Sequence, residues 1–456
     1  MLPCRFQVTL ALVAFAAWHG SATLARADVN EASTPAEAAG APDPAPEWIS
    51  LHFQTTIATQ AHPSFSVDYS GQNSLSPHAA SATAFVATLY ADARLWPGAE
   101  LVFNPEFSGG SGLGSTLGVA AFPSGLAYRV GDPAPAVYLA RLLLRQTFGL
   151  GGGTVQVDAA ANQLAGSHDR NTLTLSAGRL SVADIFDGNA YAHDPTTQFF
   201  NWALFASGAW DYPADTRGYT WGVIADLTVN WWSLRAGIAL EPKYANLAQM
   251  EWRIDKAHGL TAEYEGRYAI RNRRGAARIL LYANSARMGS YQQVLDDPAK
   301  YHNSIVETRE FGRVKYGFAI SVDQQITDTL GAFLRISAND GATETWAFTE
   351  IDRSLGLGLV QHGAPWHRSD DEAGVAVVFG GLSSLHRRYL AGGGYGFIIG
   401  DGALSYAPEI VGDIYYRAQL TPLIALSAIY QPVINPAYNT ARGPVHIFSA
   451  RLRVAF

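Results

Sequence analysis

The chain has 456 residues, 48% apolar, 12% aromatic and 16% charged, with a formal net charge of −7. An acidic balance excludes a nucleic-acid partner, which needs a basic face. The longest apolar runs beyond residue 27 fall short of 18 residues, which excludes membrane-spanning helices. Yet 11 Trp, 21 Tyr, 21 Phe and 44 Gly are the raw material of many short strands.

In chain order, residues 1–27 read as a secretion signal. Arg5 supplies the positive start, Phe6 to Trp18 the apolar core, and Ala25-Arg26-Ala27 a small-x-small cleavage site, with Asp28 as the expected new N-terminus. Removing them takes away Cys4, the single cysteine, and with it any disulfide or thiolate chemistry. It also removes Arg5 and Arg26 and no acid, so the remainder is more acidic still. Residues 28–47 are mostly Ala, Pro, Glu and Asp, a tether unable to bury enough surface to order itself. From Trp48 to Phe456 the texture is uniform, one β-domain. It exceeds the ~250–300 residues at which soluble cores split, a limit that a barrel escapes because it needs no single filled core.

Alternation carries the fold prediction, since successive strand residues point to opposite faces. In 219–230, Tyr219, Trp221, Val223, Ala225, Leu227 and Val229 oppose Thr220, Asp226, Thr228 and Asn230. In 232–240, Trp232, Leu234, Ala236, Ile238 and Leu240 oppose Ser233 and Arg235. In 261–270, Ala262, Tyr264, Tyr268 and Ile270 oppose Thr261, Glu263, Glu265 and Arg267. In 312–326, Val314, Tyr316, Phe318, Ile320 and Val322 oppose Arg313, Lys315, Ser321, Asp323 and Gln325. In 409–420, Ile410, Ile414, Tyr416 and Leu420 oppose Glu409, Asp413, Arg417 and Gln419. Stretches 81–95 and 423–431 alternate less cleanly and read as strands with bulges or with apolar residues facing inward. Segments 60–80, 107–135, 187–217, 287–310 and 361–372 read as loops or folded-in elements.

Segments of about ten residues suit a tilted strand crossing ~30 Å of hydrocarbon. Soluble sandwiches alternate too. The signal, the aromatics bunched at strand ends and the shared face of Arg, Glu and Asp favour a wet lumen inside and apolar residues outside. The fold class is therefore all-β, a transmembrane antiparallel barrel of about 16 strands, 16 being preferred to 18. Its outward partner is outer-membrane lipid. The last strand aligns Phe448, Ala450, Leu452, Val454 and terminal Phe456 on one face, with Ser449, Arg451 and Arg453 on the other. This resembles the closing strand that the barrel assembly machinery of bacterial outer membranes recognises.

No catalytic constellation stands out. Ser167-His168-Asp169 and His193-Asp194 are adjacent in sequence, which is not triad geometry. There is no G-x-S-x-G or H-E-x-x-H motif, and the Gly-rich runs at 149–153 and 392–394 read as turns. The chain is accordingly read as a non-enzyme with no cofactor, metal or catalytic residue. What remains is the polar strand face. The lumen candidates for solute contact are Arg141, Arg145, Arg235, Glu263, Glu265, Arg267, Arg335, Trp346, Glu409, Asp413, Arg417, Arg451 and Arg453. Opposed cationic and anionic side chains narrow a bore and set its field. Arginine forks and carboxylates hydrogen-bond neutral, hydroxyl-rich solutes, and an aromatic face such as Trp346 packs on a sugar ring. Only Lys243, Lys256, Lys300 and Lys315 among 32 basic residues are lysine, so the cationic chemistry is that of the guanidinium. For most of these arginines, ion pairing within the lumen competes with direct solute contact.

Several blocks resemble the carbohydrate-selective, OprB-like porin family: 178–187 (GRLSVADIFD), 191–195 (YAHDP), 200–203 (FNWA), 209–219 (AWDYPADTRGY), 389–394 (YLAGGG), 400–402 (GDG), 435–439 (NPAYN) and 442–445 (RGPV). The resemblance runs from about Trp48 to Phe456. It implies a 16-stranded outer-membrane porin for passive, selective diffusion of monosaccharides or small oligosaccharides, with carbohydrate as its partner. The alternative is a general or anion-preferring pore. The chain departs from the family pattern at Thr440-Ala441 and at 366–371 (WHRSDD), which bears on substrate preference more than on fold.

Overall fold

The computed structural model describes residues 47–127, 135–347 and 349–456. The expected signal and nearly all of the tether lie outside the described residues. Eighteen strands follow in order: β1 (Ile49–His62), β2 (Ala80–Trp96), β3 (Ala99–Gly110), β4 (Ala136–Gly149), β5 (Thr154–Val157), β6 (Gly166–Asp169), β7 (Thr172–Leu180), β8 (Thr220–Val229), β9 (Trp232–Leu240), β10 (His258–Ile270), β11 (Arg273–Ala286), β12 (Arg313–Gln325), β13 (Leu330–Asn339), β14 (Arg353–His362), β15 (Glu372–Gly381), β16 (Glu409–Thr421), β17 (Ile424–Ile434) and β18 (Val445–Ala455). Among the described residues, all but β5 and β6 form one closed antiparallel barrel. Each staves against its sequence neighbours, and β1 pairs with β18 to close the ring. Closure matches Ala58 with Arg451 and Gln60 with Ser449, so the last strand leaves no free edge.

The alternation sets which side of each strand is wet. Tyr316 is 61% exposed on the outside while its neighbour Lys315 is fully buried within. Ile414 and Asp413 divide in the same way. The two less regular stretches are also strands. β2 carries a register shift beside Arg94, and β17 turns apolar Ile429 and Val433 inward, where both are buried. Residues 107–110 belong to β3 rather than to a loop.

One rim is built mostly of short turns and receives both the start of β1 and the end of β18. Asn272 follows Arg271 in the β10–β11 turn, both with positive φ (62° and 50°), the conformation that matches the twist of a tight hairpin. Long connections gather at the other rim, including residues 382–408, which hold helix α1 (Ser384–Ala391) and which the alternation pattern does not single out. Residues 111–127 and 181–219 instead turn into the bore. Phe199, from the second of these, packs between Phe333 of β13 and Tyr415 of β16 at 5.4 and 5.0 Å. An apolar core therefore lies inside the barrel, to one side.

Candidate functional site

The inward side chains of the β10–β18 wall hold the two in-turned segments by their backbones. Glu409 accepts from the amides of Ala120 (3.0 Å), Ala121 (2.7 Å) and Ala437 (2.7 Å). Asp413 accepts from Phe200 N (2.8 Å), Asn201 N (2.9 Å) and Gln431 Nε2 (3.0 Å). Arg451 donates to the carbonyls of Pro195 (2.5 Å), Thr197 (2.9 Å) and Gln198 (2.8 Å). Arg335 donates to the carbonyls of Ala192 (2.8 Å), Asp187 (3.0 Å) and Phe205 (3.3 Å) and pairs with the Asp187 carboxylate. A folded-in segment has no sheet partner for its amides and carbonyls, and buried backbone groups left unpaired are costly. These four charged residues supply the partners. They are inward, as parity predicts, but the bonds they make go to protein, chiefly to the backbone of the in-turned segments.

A second group forms an ion-pair ladder across β8 to β12 toward the short-turn rim. Arg235 reaches Asp226 (2.8 Å), Glu263 (2.7 Å) and Glu265 (3.3 Å). Glu265 also meets Arg267 (2.5 Å) and Arg278 (2.8 Å). Arg278 continues to Asp323 (2.6 Å). Glu263 joins the ladder to the in-turned segment by accepting from Asp187 N (2.6 Å). Across the bore, Arg417 lies 3.9 Å from Glu372, and Arg453 donates to Gln54 (2.9 Å).

Trp346 is fully buried outside any strand, so the parity argument does not apply to it. Its indole N–H donates to Pro242 O (3.0 Å) and its amide to Asp211 (2.8 Å). It cements loops. Burial pushes the Asp211 carboxyl up to about 6.

With the in-turned segments fixed to the far wall, a cavity of about 190 Å³ remains between residues 181–219 and β4. Arg141 grips Asp184 through two bonds of 2.7 Å, and its guanidinium lies 5.3 Å from the centre of the Tyr219 ring. Tyr219 donates to Glu106 (3.1 Å). The outward position that alternation assigns it fails because it precedes β8, where the period of two has not begun. Trp202, Arg217 and His193 also line it. His193 Nδ1 is buried with no partner among the described residues. Burial, then nearby Arg335, push its imidazole below the usual value, so at neutral pH it is uncharged. Arg145 stands four residues further along β4, 3.3 Å from Glu100. Of the sequence candidates, only Arg141 lines this cavity. Its partners Asp184, His193, Trp202 and Tyr219 come from blocks that carry the family resemblance, and that is the one sequence signal that marks them.

A family model, "Carbohydrate-selective porin, OprB family", matches residues 72–456. The chain belongs to this family. It is an outer-membrane porin for passive, selective diffusion of carbohydrates, and the proteins of its family are channels. OprB of Pseudomonas putida in its high-pH structure has the same fold. It is 14% identical, with 90% of this chain and 94% of that one covered at a TM-score of 0.66. The low-pH structure of that protein gives 12% identity, 90% and 93% coverage and a TM-score of 0.49. The outer membrane channel DcaP of Acinetobacter baumannii gives 10%, 90% and 97%, and 0.49. No curated protein matches the chain. In an OprB-family barrel the short turns face the periplasm and the long loops the exterior.

Proposed function

We propose that the sugar passes between β4 and the in-turned segment 181–219, and that Arg141 and Asp184 bind it there. The observation that carries this reading is an ion pair on the cavity wall beside an aromatic ring and an imidazole with a buried, unpartnered nitrogen. A neutral pair has no net attraction for ions, yet it offers donors on one side and acceptors on the other to vicinal hydroxyls. Trp202 and Tyr219 supply apolar faces for the ring carbons. The remaining lumen candidates act through their partners: Glu409, Asp413, Arg335 and Arg451 hold the constriction in shape, and the Arg235–Glu265–Arg267 ladder lines the route below it.

Glucose added to a single channel is expected to reduce the ion current, with Asp184→Asn weakening that block about tenfold, as the loss of one charge-assisted hydrogen bond implies. Unchanged block in this variant places the route elsewhere. In liposome swelling, glucose should enter faster than a neutral amino acid of similar size; equal rates leave a general pore.

The outward apolar residues meet lipid, and the strand ending at Phe456 is what the assembly machinery binds. Ile414→Arg on the outer face is expected to cost about 2–4 kcal/mol of bilayer folding stability near the midplane, read from unfolding titrations in vesicles. A value near zero would contradict the lipid assignment. Residues 1–27 act as a cleaved signal and 28–47 as a tether to the 48–456 barrel, so N-terminal sequencing of the membrane form should begin at Asp28.

A further inference from the structure

Six of the seven connections on the periplasmic rim are short: 97–98, 230–231, 271–272, 326–329, 363–371 and 422–423. The exception is 150–171, which carries the β5–β6 hairpin. It does not simply project away from the barrel. Arg145, inward on β4, donates to Asn162 O (3.0 Å), and Arg94, on β2, donates to Ala165 O (3.2 Å). Arg94 also donates to Glu47 O (2.9 Å), and the Glu47 carboxylate accepts from Ala165 N (2.8 Å). The returning limb is thereby drawn across the inward ends of β2 to β4. A cavity of about 770 Å³ lies between the hairpin and this rim, lined among others by Glu100, Arg145, Gln163, His168 and Asp169. That volume falls within the roughly 300–1,000 Å³ of small-molecule clefts.

The chemistry of the lining says what fits. Arg145 and Glu100 face each other across paired strands. Arg145 makes both of its bonds through Nη1; its other donors, and the second oxygen of Glu100, have no protein partner among the described residues. The pair is neutral, and on the same lining Arg94 is balanced by Asp169, so the cleft carries no excess charge to select an ion. Four residues up the same strand, about 13 Å away, Arg141 and Asp184 form a pair of the same kind. We infer that the cleft under the hairpin is a second, exit-side binding station for the same neutral polyhydroxylated solute, with Arg145 and Glu100 as its polar clamp. This rests on the Arg141–Asp184 reading of the constriction.

The test is single-channel recording on the intact pore, with glucose added to one side at a time. Two classes of block are expected. Glu100→Gln should weaken the periplasmic-side block about tenfold and leave the extracellular-side block near wild type, with Asp184→Asn doing the reverse. His168→Trp, on the exposed limb of the hairpin, fills the cleft without removing a charge and should act as Glu100→Gln does, which guards against a folding defect in the latter. If neither variant changes the periplasmic-side block while Asp184→Asn changes the other, the exit station is wrong and the constriction stands. Sensitivity to Glu100→Gln and His168→Trp without sensitivity to Asp184→Asn supports the exit station and overturns the constriction.

Discussion

Replacing Asp413 by alanine is expected to raise the single-channel conductance and to weaken glucose block more than tenfold, with the barrel still closed. The side chain is fully buried, and one of its oxygens collects three donors: Phe200 N, Asn201 N and Gln431 Nε2. Alanine leaves two backbone N–H groups and an amide unpaired inside the bore, at about 1–3 kcal/mol for each orphaned group. The segment recovers that energy only by lifting into water. Lifting frees Phe199 from Phe333 and Tyr415. It also breaks the Asn201 side-chain bond to Ala121 O (2.7 Å), which ties the two in-turned segments together. The barrel ladder does not pass through Asp413's side chain, so the pore remains while its constriction is lost. Asp413→Asn keeps an acceptor oxygen and should fall between. Glu409→Ala acts on the other segment through Ala120 and Ala121, and because Asn201 links the two, the effects should not add. Planar-bilayer conductance with glucose titration measures both quantities, and wild-type values for Asp413→Ala would show that the segment is held by other means.

Much of the barrel is legible in the sequence because a sheet with a wet face and a greasy face writes itself as period two. The direction of Arg335, Asp413, Glu409 and Arg451 follows from parity alone. What these groups touch does not. Asp413 meets Phe200 and Arg451 meets Pro195 across more than two hundred residues of chain, and no local pattern encodes such a contact. A charged inward residue reads the same whether it faces solute or a folded-in loop. Where the chain leaves the strand, parity misleads, as at Tyr219 and Trp346. The β5–β6 hairpin was hidden because its strands have only four residues each, too few for alternation to register, behind a glycine run that reads as an ordinary turn.

Arg335→Met should destabilise the in-turned segment more than any other single change in the lumen. Arg335 is 1% exposed and bonds three carbonyls, Ser207 Oγ (3.3 Å) and the Asp187 carboxylate. Methionine fills a similar length but leaves Asp187 as a buried charge whose remaining partner is Ser207, through its amide (2.6 Å) and hydroxyl (2.9 Å). Removing one member of a buried pair costs about 3–5 kcal/mol. Lysine should rescue little, since one ammonium cannot reproduce a planar fork that reaches separate carbonyls. Adding Asp187→Asn to Arg335→Met removes the stranded charge, so the double variant should be less destabilised than the sum of the two singles. Hydrogen exchange across 181–219 reads this directly, because the barrel strands keep their own bonds and provide an internal reference. Faster exchange confined to that segment, partly reversed in the double variant, is the expected pattern. Equal protection in wild type and Arg335→Met would mean that the apolar packing around Phe199 holds the constriction without its arginine.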